Sequence, residues 1–265
     1  MSKVRSFTAL MLGDVIGHPG CRALFSGLNQ LIREYRADFV MVNGENAAGG
    51  LGITKEIARH FFGQGVDVIT SGNHIWQQDN VEELFEEHKQ MLRPANYPPN
   101  VPGRGSVVVE KGGVKVAVVN LQGRYQLPPI DCPFRGGKAL VEKLRKETPL
   151  ILVDFHAELP QEKEALAFHL DGRVSVVVGT HTHVQTADEQ ILPQGSAYIT
   201  DLGMCGSATG VIGSDPAISI RRQLTQLPLR NEIFDGPTFL QGVLCKIDPT
   251  TGKALSIERV NRQFA

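Results

Sequence analysis

Residues 174–183, VSVVVGTHTH, join a run of valines directly to two histidines. A short, mostly β-branched apolar run bounded by glycine is typical of a strand buried on both faces. Four further apolar runs lead into polar residues in the same manner. They are Ser6–Leu12 before Asp14, Phe39–Asn43 before Glu45 and Asn46, Asp67–Thr70 before Asn73 and His74, and Leu150–Asp154 before His156. The recurrence, rather than any single instance, indicates a common site.

Helical patterns alternate with these strands. Between the first two strands, apolar residues recur every three or four positions from Cys21 to Tyr35, with Pro19 in the first turn. Thr54 is placed to cap the next helix. This alternation predicts a layered α/β fold in one domain, residues 1–265. Hairpin patterns also indicate antiparallel strands, so the helices flank either one mixed sheet or two packed sheets.

Composition and charge narrow the classes of function. The chain has 265 residues, a net charge of −1, and 42% hydrophobic and 21% charged residues, which is typical of a globular protein. The charge balance gives no support to a broad nucleic-acid or membrane footprint. The longest run without Asp, Glu, Lys or Arg, Val174–Ala187, has 14 residues, fewer than the roughly 18 that suggest a spanning helix. The N-terminal MSKVRSFTALMLGD lacks a small-residue cleavage site, and the four separated cysteines form no CxxC pair, so we expect a reducing cytoplasm.

The polar residues at the strand ends form a chemically coherent donor set. Ligands collect beyond the carboxyl ends of strands in open α/β sheets, so strands that share an edge would bring these residues together. Imidazole, carboxylate and amide oxygen without thiolate favour Fe, Mn, Zn or Ni. A carboxylate can bridge two ions, and two ions about 3.5–4 Å apart stabilise both the attacking and the leaving oxygen in phosphoryl displacement.

Each residue alone also has a structural interpretation. Asp14 and Asn73 could hold turns or a helix cap, Glu45 and Asn46 could be solvated loop residues, and His156 could be a hydrogen-bonded histidine near the surface. The paired histidines of GTHTH are harder to explain, because they point the same way on an extended segment or flank a sharp turn. His18 lies near the first strand end, and its role stays open. The three histidines on predicted helices are given no role: His60, His88 and His169.

Three segments have two interpretations each. The loop AAGGLGIT (47–54) could present backbone amides to phosphate or be a flexible turn. Arg93, Asn96 and Tyr97 lie in a proline-rich segment that is predicted to be a long surface loop, where they could contact a base or ribose or have no such role. The small residues of GMCG (203–206) could form a pocket wall or only permit close backbone packing.

Taken in order, GD (13–14), GEN (44–46), GNH (72–74), the lone His156 and GTHTH (179–183) resemble the motifs of the calcineurin-like metallophosphoesterases. The general pattern is D-x-H, GD, GNH, H and GHxH, and the match spans about residues 8–185. Ile16 stands where that pattern has histidine, and Glu45 stands where it has Asp. Both departures, with GDVIGHPG, NGENAAGGLGIT, TSGNHIW, LRPANYP and GTHTHVQTAD, are similar to the YmdB-like subgroup of bacterial phosphodiesterases, and this similarity covers nearly the whole chain.

The resemblance implies a layered metallophosphoesterase-type fold, in which mixed β-sheets form a β-sandwich flanked by helices. It also assigns the donor residues to two metal ions that share one carboxylate. The first ion would be held by Asp14, Glu45, Asn46 and His183, and the second by Glu45, Asn73, His156 and His181. Asn46 would replace the missing histidine of D-x-H. His74 would bind no metal and would protonate the leaving alkoxide as a general acid.

The resemblance also implies an activity. Members of the subgroup are di-iron proteins that hydrolyse 2′,3′-cyclic and 3′,5′-cyclic nucleotides or related small phosphodiesters by attack of a metal-bridging hydroxide. We therefore expect two iron ions, with manganese as the alternative, in a homo-oligomer without membrane attachment. Two other functions stay open: a phosphomonoesterase or 5′-nucleotidase at the same site, and a regulatory RNA-associated protein with a metal sensor site. The charge balance does not support RNA association.

Overall fold

The fold is built on strands and helices that alternate along most of the chain. A computed structural model describes residues 6–264. The elements are β1 (Phe7–Val15), α1 (Gly17–Tyr35), β2 (Phe39–Asn43), α2 (Lys55–Gly63), β3 (Val68–Thr70), α3 (Val81–Glu87), β4 (Ser106–Lys111), β5 (Val114–Gln122), α4 (Pro133–Leu144), β6 (Leu150–His156), α5 (Pro160–Leu170), β7 (Val176–Thr180), β8 (Gln190–Ile191), β9 (Ala197–Ile199), β10 (Met204–Ser207), α6 (Pro216–Thr225), β11 (Thr238–Ile247) and β12 (Ala254–Phe264). A short 3₁₀ turn covers Ile75–Gln77.

The strands form two six-stranded mixed sheets. The first has the order β12-β11-β10-β1-β2-β3, and β11 also pairs with β1. The second has the order β4-β5-β6-β7-β9-β8. Neighbours among β1, β2 and β3 and among β5, β6, β7 and β9 are parallel, whereas β4–β5 and β11–β12 are antiparallel hairpins. The question that the sequence left open is thereby answered in favour of two sheets.

Three apolar cores bind the layers together. One core joins residues of both sheets, among them Met11 and Met41 from the first and Val118 and Val178 from the second, so the sheets pack face to face. A second core packs α1, α2 and α3 on the outer face of the first sheet. The third packs α4 and α5 on the outer face of the second sheet. The result is a sandwich of two sheets between two layers of helices.

The periodicity predicts most element positions well. The range Phe39–Asn43 agrees with β2 at both ends. Thr54 caps α2, since its side chain accepts a hydrogen bond from the amide of Ile57. No helix within residues 6–264 is both long enough and apolar enough to cross a membrane. The predicted domain includes residues 1–5 and 265, and the N-terminal stretch considered for a cleavage site includes residues 1–5. These residues lie outside the described residues.

The proline-rich segment that begins at Arg93 differs from the predicted surface loop. Its first part is buried, including Arg93 and Asn96. The guanidinium of Arg93 donates to the carbonyl oxygens of Pro94, Val101 and Pro102. Hydrogen bonds to backbone carbonyls of the surrounding loop therefore compensate the burial of this charged side chain.

Candidate metal centre

The predicted site residues meet at one end of the sandwich and come from both sheets. Asp14 lies in β1, Glu45 and Asn46 follow β2, and Asn73 and His74 follow β3. His156 ends β6, and the two histidines of GTHTH follow β7. The donors therefore do not share one sheet edge. The carboxyl ends of strands from two packed sheets face a common point.

The Nε2 atom of His156 is the centre of a close cluster. It lies 3.0 Å from Oε1 of Glu45, 3.1 Å from Oδ1 of Asn73 and 3.0 Å from Nδ1 of His181. One imidazole nitrogen carries at most one proton, so these contacts cannot all be hydrogen bonds. Glu45, His156 and His181 each offer an atom to a group whose members lie within 4.8 Å of one another. Such convergence of lone pairs is the arrangement expected around a cation.

Asp14 and Asn46 extend this donor set. Oδ2 of Asp14 accepts from the amide of His181 at 3.1 Å, and its Oδ1 lies 4.0 Å from Nε2 of His183. The Asn46 amide nitrogen donates to the carbonyl of Gly50, so the orientation of that amide is fixed. Among the described residues, three buried oxygens of this set have no hydrogen-bond partner: Asp14 Oδ1, Glu45 Oε1 and Asn46 Oδ1. Orphaned buried oxygens are costly, and a bound metal ion would satisfy them.

The electrostatics of the site fit the same conclusion. Burial raises the pKa of both Asp14 and Glu45 to about 7, because desolvation penalises the charged carboxylates. Burial also lowers the pKa of His156 to about 4 and that of His181 to about 2, and it lowers the pKa of His183. These imidazoles are therefore neutral near pH 7, which is the form that binds metal. The residues fit divalent metal ions in both donor type and charge.

Local backbone geometry holds the two histidines of GTHTH. His181 has a φ of 104° and His183 a φ of 64°, values that are rare for residues with a side chain. Between them, the amide and hydroxyl of Thr182 both donate to Oδ2 of Asp201. The segment is thus a sharp turn, one of the two shapes that the sequence leaves open. The ring of His183 thereby lies near Asp14, and the ring of His181 lies in the group with Glu45 and His156.

His74 lies at the edge of the donor cluster, in a cleft of about 320 Å³. Its backbone amide donates to Oε2 of Glu45 at 3.2 Å, and its Nε2 lies 3.2 Å from the amide nitrogen of Asn73. The cleft is also lined by Glu158, which the sequence reasoning missed, and by Ile212. Glu158 Oε2 lies 3.1 Å from Nε2 of His181. An acidic residue two positions after a strand-end histidine is the signal that could have identified it.

The other residues considered in the sequence analysis make contacts that belong to the fold rather than to the donor cluster. Amides of the AAGGLGIT loop bond within the loop, as that of Leu51 does to Ala48, which favours a folded turn. Asn96 donates to the backbone of Gln122 and Asp131. The remaining side chains contact neighbours away from the cluster: Tyr97 against Trp76, His18 near Arg22, His60 against Phe25, His88 against Phe62 and His169 against Phe134.

Comparison with known proteins places this geometry in a family. The sequence pattern of the YmdB-like proteins matches residues 10–260. This chain belongs to the YmdB-like family. It is 46% identical over 251 residues to a 2′,3′-cyclic-nucleotide 2′-phosphodiesterase of Bacillus subtilis. The aligned region covers 95% of each chain. The crystal structure of a novel phosphatase from Mycoplasma pneumoniae has a TM-score of 0.92 at 37% identity, covering 98% of this chain and 94% of that one.

The fold is shared more widely than the family. The NAD nucleotidase of Haemophilus influenzae has a TM-score of 0.63 at 14% identity and covers 97% of this chain and 56% of its own. The expected metallophosphoesterase-type α/β fold is therefore confirmed. Membership of the YmdB-like family also confirms that the protein is a phosphoesterase, and it implies divalent metal ions.

Proposed function

We propose that this protein is a two-metal phosphodiesterase that hydrolyses 2′,3′-cyclic or 3′,5′-cyclic nucleotides or related small phosphodiesters. The observation that carries the proposal is the convergence of lone pairs on His156 Nε2, together with the three orphaned oxygens. The 46% identical relative named as a 2′,3′-cyclic-nucleotide phosphodiesterase supports the substrate class.

The donor set is large enough for two ions. We assign Asp14, Glu45, Asn46 and His183 to one ion and Glu45, Asn73, His156 and His181 to the other. The 4.0 Å approach of His183 to Asp14 and the cluster around His156 support this division. Iron is the proposed metal and manganese the alternative, since both suit nitrogen and oxygen donors.

The ions, when bound, would neutralise the phosphate oxygens and activate a water for in-line attack. The residues of the chain do the remaining work. Burial keeps the imidazoles of His156, His181 and His183 neutral and ready to bind. His74 lines the cleft beside Glu45, and its imidazole would give a proton to the leaving alkoxide.

The test is metal content combined with a turnover panel. Purified protein should contain close to two transition-metal ions per chain by elemental analysis. It should hydrolyse a 2′,3′-cyclic or 3′,5′-cyclic nucleotide faster than the nucleoside monophosphate of the same base. Preference for the monoester would support a 5′-nucleotidase instead, and metal-loaded protein that binds RNA without turnover would support the regulatory alternative.

Two further proposals concern the oligomeric state and the cellular location of the protein. A homo-oligomer is expected, and light scattering during size-exclusion chromatography measures its mass. A cytoplasmic location agrees with the cysteines, which are free at all four positions. Fractionation of cells measures the location directly.

A further inference from the structure

A buried carboxylate that the proposed chemistry does not use lies beneath the candidate metal centre. Asp154 is in β6, two residues before His156, and its relative exposure is 0%. Three side chains donate to it. They are Thr70 at 2.5 Å, Thr180 at 2.7 Å and Asn43 at 3.1 Å. No Lys, Arg or His within residues 6–264 forms an ion pair with it.

The three donors come from both sheets. Asn43 and Thr70 end β2 and β3 of the first sheet, whereas Thr180 ends β7, beside Asp154 in the second. One carboxylate therefore ties together the carboxyl ends of four strands that lead into the site. The sequence hides this role, because Asp154 lies within an apolar run and matches no motif.

The direction of the hydrogen bonds decides the state of His156. Thr180 Oγ1 lies 2.7 Å from Oδ1 of Asp154 and 3.0 Å from Nδ1 of His156. Side-chain donors reach both oxygens of Asp154, from Asn43 and Thr70 at Oδ2 and from Thr180 at Oδ1, so Asp154 acts as the acceptor and the single hydroxyl proton of Thr180 goes to it. Thr180 must then accept from His156, which places the imidazole proton on Nδ1. Nε2 is left with its lone pair toward Glu45, Asn73 and His181.

A second path runs from the same carboxylate to Glu45. The Asn43 amide nitrogen donates to Oδ2 of Asp154, which fixes the orientation of that amide. Its Oδ1 accepts from the backbone amide of Glu45 at 3.1 Å. The turn that carries Glu45 is thereby held to the second sheet, although Glu45 follows a strand of the first.

We propose that Asp154 is a positioning residue that sets the tautomer of His156 through Thr180 and orients Glu45 through Asn43. The inference rests on the proposed function for the roles of His156 and Glu45 as ligands. Outer partners of this kind orient metal ligands, and their loss typically costs about 10–100-fold in metal affinity or activity.

The test uses Asp154→Asn and Thr180→Val. An amide at 154 can donate to Thr180, which frees the threonine hydroxyl to donate to Nδ1 and favours the Nε2–H tautomer. Valine at 180 removes the link between His156 and the carboxylate. Both variants should bind metal about 10–100-fold more weakly, and long-range ¹H–¹⁵N spectra of the metal-free proteins should show His156 losing its Nδ1–H form.

The matched control is Thr200→Val. Thr200, which follows β9, also donates to a carboxylate, Oδ2 of Asp188 at 2.5 Å, and its side-chain hydrogen bonds go to Asp188 and Tyr198 rather than to a proposed ligand. It should lose stability while metal affinity and the His156 tautomer stay unchanged. If Asp154→Asn fails to fold, Thr180→Val, which keeps the carboxylate, carries the test.

Two results separate this inference from the proposed function. Wild-type metal affinity and an unchanged His156 tautomer in Thr180→Val would overturn the positioning role, even in an active phosphodiesterase. A wild-type protein that turns over no phosphodiester, with the tautomer and metal affinity changing as expected in the variants, would overturn the function and leave the positioning role intact.

Discussion

Nζ of Lys163 donates to Oδ2 of Asp201 at 2.7 Å, and each side chain is only 1% exposed. The same oxygen accepts from Thr182, between the two histidines of GTHTH, and the other accepts from the amide of Gly203. A lysine of α5 therefore neutralises the carboxylate that holds the turn carrying two proposed ligands. This buried ion pair therefore stabilises the turn that carries His181 and His183.

Removing the lysine alone should be costly. Lys163→Met leaves Asp201 buried without its cation, and breaking a buried pair in this way costs about 3–5 kcal/mol. Urea unfolding measures the change. The double variant with Asp201→Asn removes the orphaned charge and should recover part of the loss. A loss of under about 1 kcal/mol in Lys163→Met would show that the pair does not carry the turn.

Glu45→Gln tests the proposed bridging role of the Glu45 carboxylate. The substitution keeps the size of the side chain but removes its charge, so metal content should fall and hydrolysis of bis-p-nitrophenyl phosphate should drop to background. Glu56→Gln, an exposed carboxyl in the first turn of α2, is the matched control and should keep both properties. Full activity in Glu45→Gln would contradict the two-metal assignment.

His74→Ala tests the proposed role of His74 as a general acid. Metal content should stay close to two ions per chain, while turnover of substrates with alkoxide leaving groups should fall by about 10²–10⁴-fold. A p-nitrophenolate leaving group needs no proton, so its hydrolysis should fall much less. His169→Ala, on α5, serves as the control. Equal losses for both leaving groups would argue against the role.

The metal affinity should depend on pH. In the metal-free protein the pKa values of Asp14 and Glu45 are about 7, so below pH 7 a metal must displace their protons. His156 and His181, with pKa values of about 4 and 2, are already neutral there and contribute no such dependence. Affinity should therefore rise between pH 5 and 7 and level off above, as measured by calorimetric titration. A flat profile over that range would contradict these carboxyl pKa values.

The raised and lowered pKa values also make the stability of the metal-free fold depend on pH. A carboxyl whose pKa is raised on folding stabilises the fold below its unfolded pKa, and that contribution is lost as the pH rises through about 7. A histidine whose pKa is lowered stabilises the fold above its unfolded pKa and loses that contribution in acid. The two effects oppose each other between pH 4 and 7.

Local signals in the sequence account for most of the elements and for the donor set. Continuous apolar runs predict β2, β6 and β7, because strands buried on both faces need continuous apolar sequence. The division into two sheets depends on packing between distant strands, which no local pattern encodes. Asp154 was missed for a related reason: its partners are Asn43, Thr70 and Thr180, far apart in sequence.

Two elements of the C-terminal part escaped prediction. β10 is four residues long and contains Gly206, so it lacks the bulky residues of a strand signal. α6 buries none of its ten residues, all of them described, and therefore needs no inward apolar stripe. A capping signal was available, since Asp215 precedes Pro216 and its side chain accepts from the amide of Ile218.

Gly72 in the GNH motif has a consequence for experiments. Its φ lies outside the left-handed region, so glycine is required there by space rather than by backbone conformation. A Cβ at this position would lie 2.2 Å from Cδ2 of His156 and 2.3 Å from Oε2 of Glu45. Gly72→Ala should thus separate two proposed ligands by the bulk of one methyl group and lower metal content, although every donor atom is still present. Such a variant would be a metal-deficient reference protein that keeps every proposed ligand. If elemental analysis found the wild-type metal content in Gly72→Ala, the proposed crowding would be refuted.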